Sequence, residues 1–153
     1  MAKKPLPVAR TRVSIGGATA TWTEVAVAAD TWVLIDGIRT IGNFGDSAQV
    51  ITVDEVGDGR TRKAKGTRNS GTMELTCSKR STDPGQIALD AASASDEAFN
   101  FKIELPQGDG TFEVNYITAL VMSNPVGLGG PNDTQTKTYS LELNEAPLTV
   151  DPA

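Results

Sequence analysis

The sequence predicts a mainly β protein, an antiparallel sandwich or split barrel with one short α-helix packed on it and a long loop between two of its strands. Three observations carry that expectation. Apolar side chains alternate with polar ones along several separate stretches, the period of two that gives a strand one buried and one exposed face. A single segment has a well-marked helix start. Finally, fifteen glycines against few aromatics in 153 residues favour turns and strands, and a chain of that length holds one domain with a modest core.

Taken in order, residues 1–17 mix Pro, Gly and basic residues without a period and read as an extended N-terminal arm. The domain proper is expected over 18–147, with 148–153 as a C-terminal tail. Within it, "ATATWTEVAVAA" (18–29) carries Trp22, Val25 and Val27 among Thr and Ala, and "TWVLIDG" (31–37) is rich in strand formers and ends in an Asp-Gly turn. A hairpin joining these two is expected. Val50, Ile51 and Val53 support a strand in "AQVITVDEV". In "SGTMELTCSK", Met73, Leu75 and Cys77 alternate with polar residues and point inward.

The helix is expected at Ser81 to Ala98. Asp83 is placed as N-cap, Pro84 at the first helical position, and Gln86 where a capping box would put it. Ile87, Ala88, Leu89, Ala91 and Ala92 would form its narrow apolar face. Strands resume with Phe99, Phe101, Ile103 and Leu105 on one face. "QGDG" (107–110) then turns the chain into "TFEVNYITALVM", where Phe112, Val114 and Tyr116 alternate with polar residues. After a glycine-rich loop, Tyr139, Leu141 and Leu143 mark a last inward-facing strand.

Composition removes whole classes of chemistry. With no histidine and one cysteine, Ser-His-Asp and Cys-His catalysis and structural zinc sites are excluded. No cofactor is expected and no enzymatic activity. "GLGGPND" lacks the helix start and Lys-Ser/Thr of a phosphate loop, and "VDEVGDGRTR" lacks the order of a calcium loop. Trp22 and Trp32 are read as anchors of a core or an interface in preference to a ligand platform. No run of about 18 apolar residues and no signal-like leader occurs, so membrane insertion is not expected and the protein is read as soluble.

The stretch "VGDGRTRKAKGTRNSG" (56–71) holds five of the fourteen Lys and Arg residues of a chain whose net charge is −5. It reads as a connection of about 17 residues, far beyond the usual hairpin loop of two to five. Like charges repel, so ordering such a loop calls for an acidic partner surface, and another copy of this acidic chain is one candidate.

In this order of elements the sequence resembles the major tail tube proteins of long-tailed, siphophage-type bacteriophages. The resemblance runs over "WVLIDGIRTIGNFGDSAQVITVDEV", the basic loop, "GTMELTCSKRSTDPGQIALDAA", "FNFKIELPQGDGTFEVNYITALVMS" and "GGPNDTQTKTYSLELNEAP", covering about Thr31 to Pro147. It implies a structural subunit that forms stacked hexameric rings, a conduit for DNA ejection located in the virion tail and assembled in the host cytoplasm. The implied partners are further copies of the chain, a tape-measure protein, tail terminator and distal tail proteins, and double-stranded DNA that passes without specific binding. The positions matching the loop that reaches the next ring are Asp54 to Gly71, with Asp58, Arg60, Arg62, Lys63, Lys65 and Arg68 as the contact residues. Glu74, Glu104, Glu113 and Glu142, each placed opposite an apolar set, are candidates for the acidic lumen. The alternatives are the tube protein of a contractile injection or secretion system and a monomeric β-sandwich ligand-binding module.

Overall fold

The computed structural model describes residues 4–151, so Met1 to Lys3 of the expected arm and the last two residues of the expected tail lie outside the described residues. The elements are β1 (Arg12–Ala18), α1 (Glu24–Ala28), β2 (Val33–Leu34), β3 (Ile38–Ile41), β4 (Ser47–Val53), β5 (Arg62–Asn69) and β6 (Thr72–Ser78). There follow α2 (Pro84–Ala94), β7 (Phe99–Pro106), β8 (Phe112–Ser123), β9 (Val126–Gly127), β10 (Thr136–Leu143) and β11 (Leu148–Val150). One antiparallel sheet runs β2-β1-β7-β8-β10-β6-β3, with β11 beside β8 and β9 beside β10; β4 and β5 pair only with each other.

Alternation builds the core. Val13 and Ile15, Met73, Leu75 and Cys77, Phe101 and Ile103, Ile117 and Ala119, and Tyr139 and Leu141 are all buried. Register makes them one face, because residues directly opposite on neighbouring strands point the same way: Ile15 pairs with Phe101, Phe101 with Ile117, Val121 with Leu141, and Tyr139 with Leu75. A single sheet therefore curls round its own apolar face, and Leu89 and Ala92 of α2 join that cluster. The expected mainly β, sandwich-like fold is what the chain adopts. The sheet does not close into a barrel, and β2 and β3 stand at its two ends.

Several elements differ from expectation. The arm ends earlier: Arg12–Ala18 is a strand, held between β2 and β7, because Val13 and Ile15 keep the period of two and bury completely. The expected hairpin of 18–29 with 31–37 is absent among the described residues. Glu24–Ala28 is instead a short helix, capped by the Thr23 hydroxyl, which accepts from the Ala26 amide at 3.3 Å, and Val33–Leu34 pairs with β1. Part of the expected tail, Leu148–Val150, adds a strand against Val114–Tyr116 of β8.

The start of α2 is as read, with Pro84 at its first turn and the Asp83 carboxylate accepting from the Gln86 amide at 3.0 Å. The capping box is not formed. The Gln86 side chain instead donates to the carbonyls of Ser78 and Asp36 (2.8 and 3.0 Å) and accepts from the Arg80 amide (2.9 Å). One buried amide thus ties three backbone segments together. Gly85 is needed there for closeness: a Cβ would stand 2.4 Å from the Leu34 carbonyl oxygen and 2.5 Å from the Ile35 Cα. The expected apolar face is correspondingly rotated, since Gly85, Gln86, Leu89 and Ala92 are buried while Ile87 and Ala91 face outward.

The other side of α2 is fixed by Asp90, one of whose carboxylate oxygens accepts from Lys137 Nζ (2.6 Å), Asn124 Nδ2 (3.1 Å) and the hydroxyl of the fully buried Tyr139 (3.1 Å). Burial pushes the Asp90 carboxyl up, but the three donors and the charge of Lys137 outweigh it and hold the pKa below the ordinary value. A depressed carboxyl stabilises the fold fully above the unfolded-state pKa, and that contribution is lost as pH falls through the folded-state value. Asp90→Asn is accordingly expected to lower the urea midpoint at pH 7, with the gap to wild type shrinking by pH 3. A gap independent of pH would show that the carboxylate charge plays no part.

Candidate functional site

The stretch expected as a basic loop is the tip and the returning strand of a hairpin. Residues 54–61, Ser70 and Gly71 lie outside strands; Arg62–Asn69 is β5, paired with β4 through Val53 and Arg62, Thr52 and Lys63, Ile51 and Ala64, and Val50 and Lys65. A shift of register between Ala48 and Val50 marks a bulge, which sharpens the local twist. Pairing sorts the ribbon into two unlike faces. Ile51, Val53 and Ala64 share one with Arg62, and Val50 and Thr52 share the other with Lys63 and Lys65.

Among the described residues, no part of the body covers either face. Val50 is 68% exposed, and Ile51 and Val53 are nearly half exposed, while Val56 at the tip is fully so. Seven residues of strand at about 3.3 Å each carry the tip some 23 Å from the root. The root is anchored by Arg68 to Asp46 (3.3 Å) and by the Ser70 hydroxyl to the Glu145 carbonyl (2.8 Å). At the tip, Asp58 accepts from the Arg60 amide (3.1 Å) and Arg62 Nε (2.8 Å).

Of the six expected contact residues, then, Asp58 and Arg62 are engaged with each other and Arg68 with the root. Arg60, Lys63 and Lys65 make no ion pair among the described residues and project from the ribbon. Sequence reasoning found these cations and missed the exposed apolar stripe beside them. A signal was present: β4 adjoins a segment with no apolar alternation, so the pair has no buried face to share.

The four glutamates do not form one cluster. Glu74 and Glu142 lie on the outer face of neighbouring strands, Glu142 accepting from the Thr72 hydroxyl at 2.7 Å. Glu104, on the outer face of β7, is neutralised by Arg12 (2.8 Å) and Lys102 (3.6 Å). Glu113 is directly opposite Leu105, on the side of the sheet that carries the core, because Tyr116 and not Ile117 is the residue of β8 that faces out. Phe112, Val114 and Tyr116 thus line the second face of the sheet, where Trp32 stacks on Tyr116 at 5.8 Å and Arg12 lies over Phe112 at 4.5 Å.

Trp22 is used separately, its indole N–H donating to the Ala146 carbonyl at 3.2 Å, so the two tryptophans serve different contacts. Among the described residues no group of three or more Cys, Asp or Glu is placed to hold a metal ion, and no helix is long and apolar enough to cross a membrane. Cys77 is buried, and desolvation, aided by Asp83, pushes its thiol up to about 11.

The family described as phage tail tube protein, TTP, matches residues 10–142. No curated protein matches the chain in sequence. Solved structures share the fold at low identity. A chain of an extracellular contractile injection system, in its sheath/tube terminator, matches with a TM-score of 0.72 at 16% identity, covering 99% of this chain and 100% of that one. A chain of the anti-feeding prophage baseplate gives 0.71 at 15%, covering 97% of each. The SPP1 tail tube gives 0.65 at 15%, covering 95% of this chain and 78% of that one.

A ribbon without tertiary cover opens readily, since isolated two-stranded hairpins are marginal in water. In hydrogen exchange on the unassembled chain, amides of β4 and β5 are expected to exchange at least ~100-fold faster than those of β6, β7 and β10. Equal protection would mean the hairpin is held by contacts within its own subunit.

Proposed function

This chain belongs to the phage tail tube protein family, and on that premise we propose that its copies join head to tail into stacked rings, the β4–β5 hairpin of each reaching the next ring. The observation that carries the proposal is the hairpin itself: some twenty residues whose apolar and cationic side chains find no cover in their own subunit. Edge strands and exposed apolar ribbons are templates for further association, and a closed, repeating assembly covers them.

The open ends at β2 and β3 fit lateral joining within a ring, for which six-fold symmetry is the reading, supported by the six-fold symmetrised baseplate among the fold's neighbours. Cationic Lys63 and Lys65 on an acidic chain of net charge −5 favour contact with another subunit's body over contact between two hairpins, which makes stacking polar. The same negative balance suits a channel that lets double-stranded DNA slide, because a basic wall would hold phosphates by counterion release. Glu74 and Glu142 are the pair best placed to contribute to such a wall. Tape-measure, terminator and distal tail proteins are the partners that would set the length and ends of the tube, in the virion tail and after assembly in the host cytoplasm. The role is structural, and no reaction is assigned to it.

Negative-stain electron microscopy of the purified chain, alone or with its tail partners, is expected to show rings or tubes. A strictly monomeric species under all these conditions would overturn the proposal. Lys63→Glu with Lys65→Glu turns attraction into repulsion at two rim positions, each worth up to about 1 kcal/mol. It is expected to raise the concentration needed for tubes by roughly tenfold or more while leaving the melting temperature of the monomer within a few degrees.

A further inference from the structure

The tip of the hairpin and a groove on the body carry complementary unpaired groups. At the tip, a turn closed by the Asp58 amide donating to the Glu55 carbonyl (3.1 Å) thrusts out Val56, fully exposed, beside Asp54 and Glu55. Neither of those acids makes an ion pair among the described residues. On the body, the Val8–Thr11 turn and β3 border a groove of about 480 Å³, with Ile38 and Ile41 half-buried and Val8 exposed along it. That volume is within the range of about 300–1,000 Å³ usual for binding sites.

Two cations flank the groove, Arg10 and Arg39, both exposed and without an ion pair among the described residues. Two further features mark it as unfinished. Thr11 Oγ1 is buried there without a hydrogen-bond partner among the described residues, and such groups are rare in settled structures. Arg10 has φ = 72°, the one non-glycine residue with positive φ among the described residues, and a strained backbone of this kind persists where contacts over-determine it.

Resting on the reading that the hairpin docks on a second copy, we propose that its tip seats in this groove of the neighbouring subunit, Val56 against the apolar floor and Asp54 and Glu55 against Arg10 and Arg39. A single chain has one tip and one groove, so the contact is heterologous and propagates in one direction. The cationic shaft of the hairpin is excluded from the same groove by Arg10 and Arg39, which leaves the acidic tip as the part that fits.

Two measurements on the full chain test this. In the first, Val56→Cys and Thr40→Cys variants are mixed, assembled and treated with a short bismaleimide; buried Cys77 leaves a silent background. Crosslinked dimers are expected from assembled mixtures and not from either variant alone. In the second, Glu55→Arg and Arg39→Glu are each expected to raise the concentration needed for tubes roughly tenfold or more, and the double variant to recover most of that loss. If wild type forms tubes and Lys63→Glu/Lys65→Glu weakens them, yet no crosslink forms and the double variant is not rescued, the groove is the wrong receptor although the hairpin still docks. If wild type forms no tubes at all, the docking reading and this inference fall together.

Discussion

One sheet burying one face is the constraint from which the other features of this fold follow. The alternating apolar residues of β1, β6, β7 and β10, with Ile117, Ala119 and Val121 of β8, are committed to that face, and burial of each large side chain contributes about 1.5–3 kcal/mol. Curling the sheet around this cluster leaves two end strands, β2 and β3, unjoined, with Leu89 and Ala92 of α2 packed into the cluster. The apolar residues of β4 have no place in that arrangement, because their partner strand β5 offers only charge and small side chains. The hairpin is left outside as a consequence of parity and register.

Polar anchors decide how the helices sit on the sheet. Gln86 gathers the 35–37 segment, the 78–83 turn and the start of α2, and Asp90 gathers α2, β10 and the Asn124 loop. On α1's side, Asp30 accepts from the Gly17 amide and from Asn100, whose own carbonyl oxygen accepts from the Thr19 hydroxyl. Each anchor is a side chain with several donors or acceptors satisfied at once, the arrangement in which buried polarity specifies geometry without a net loss. These contacts stiffen the body.

The parts of this fold that were legible in the sequence are those whose signal is local. The alternation in Met73–Cys77, Phe99–Leu105 and Tyr139–Leu143 and the Asp-Pro start of α2 depend on nothing distant, and they are where the structure has them. Elsewhere the signal was real but its meaning was tertiary. Phe112, Val114 and Tyr116 alternate correctly, yet the buried core begins one residue later at Ile117 because Phe101 fixes the register. The Thr- and Ala-rich 18–29 has β propensity, but Thr23 caps a helix there. Val13 and Ile15 were hidden by flanking Arg and Gly. Arg62–Asn69 was read as loop because a strand with no buried face has no hydrophobic period to display. The basic character of the site was visible for the same reason that its strand was not.

That inversion has a physical meaning. Within a finished monomer, a segment of high charge and no apolar period belongs to solvent and stays irregular, since nothing offsets the entropy of ordering it. Here such a segment is ordered as a strand, and what orders it is a neighbour whose own valines and isoleucine are left in water. Neither strand gains enough from the other to account for the regularity of both. On the docking proposed above, one surface per subunit covers one hairpin per subunit, and the register of the ribbon would set the register of the stack. Local sequence signals are weakest where an element finds no cover in its own subunit, and in this protein that place is the ribbon that leaves the body.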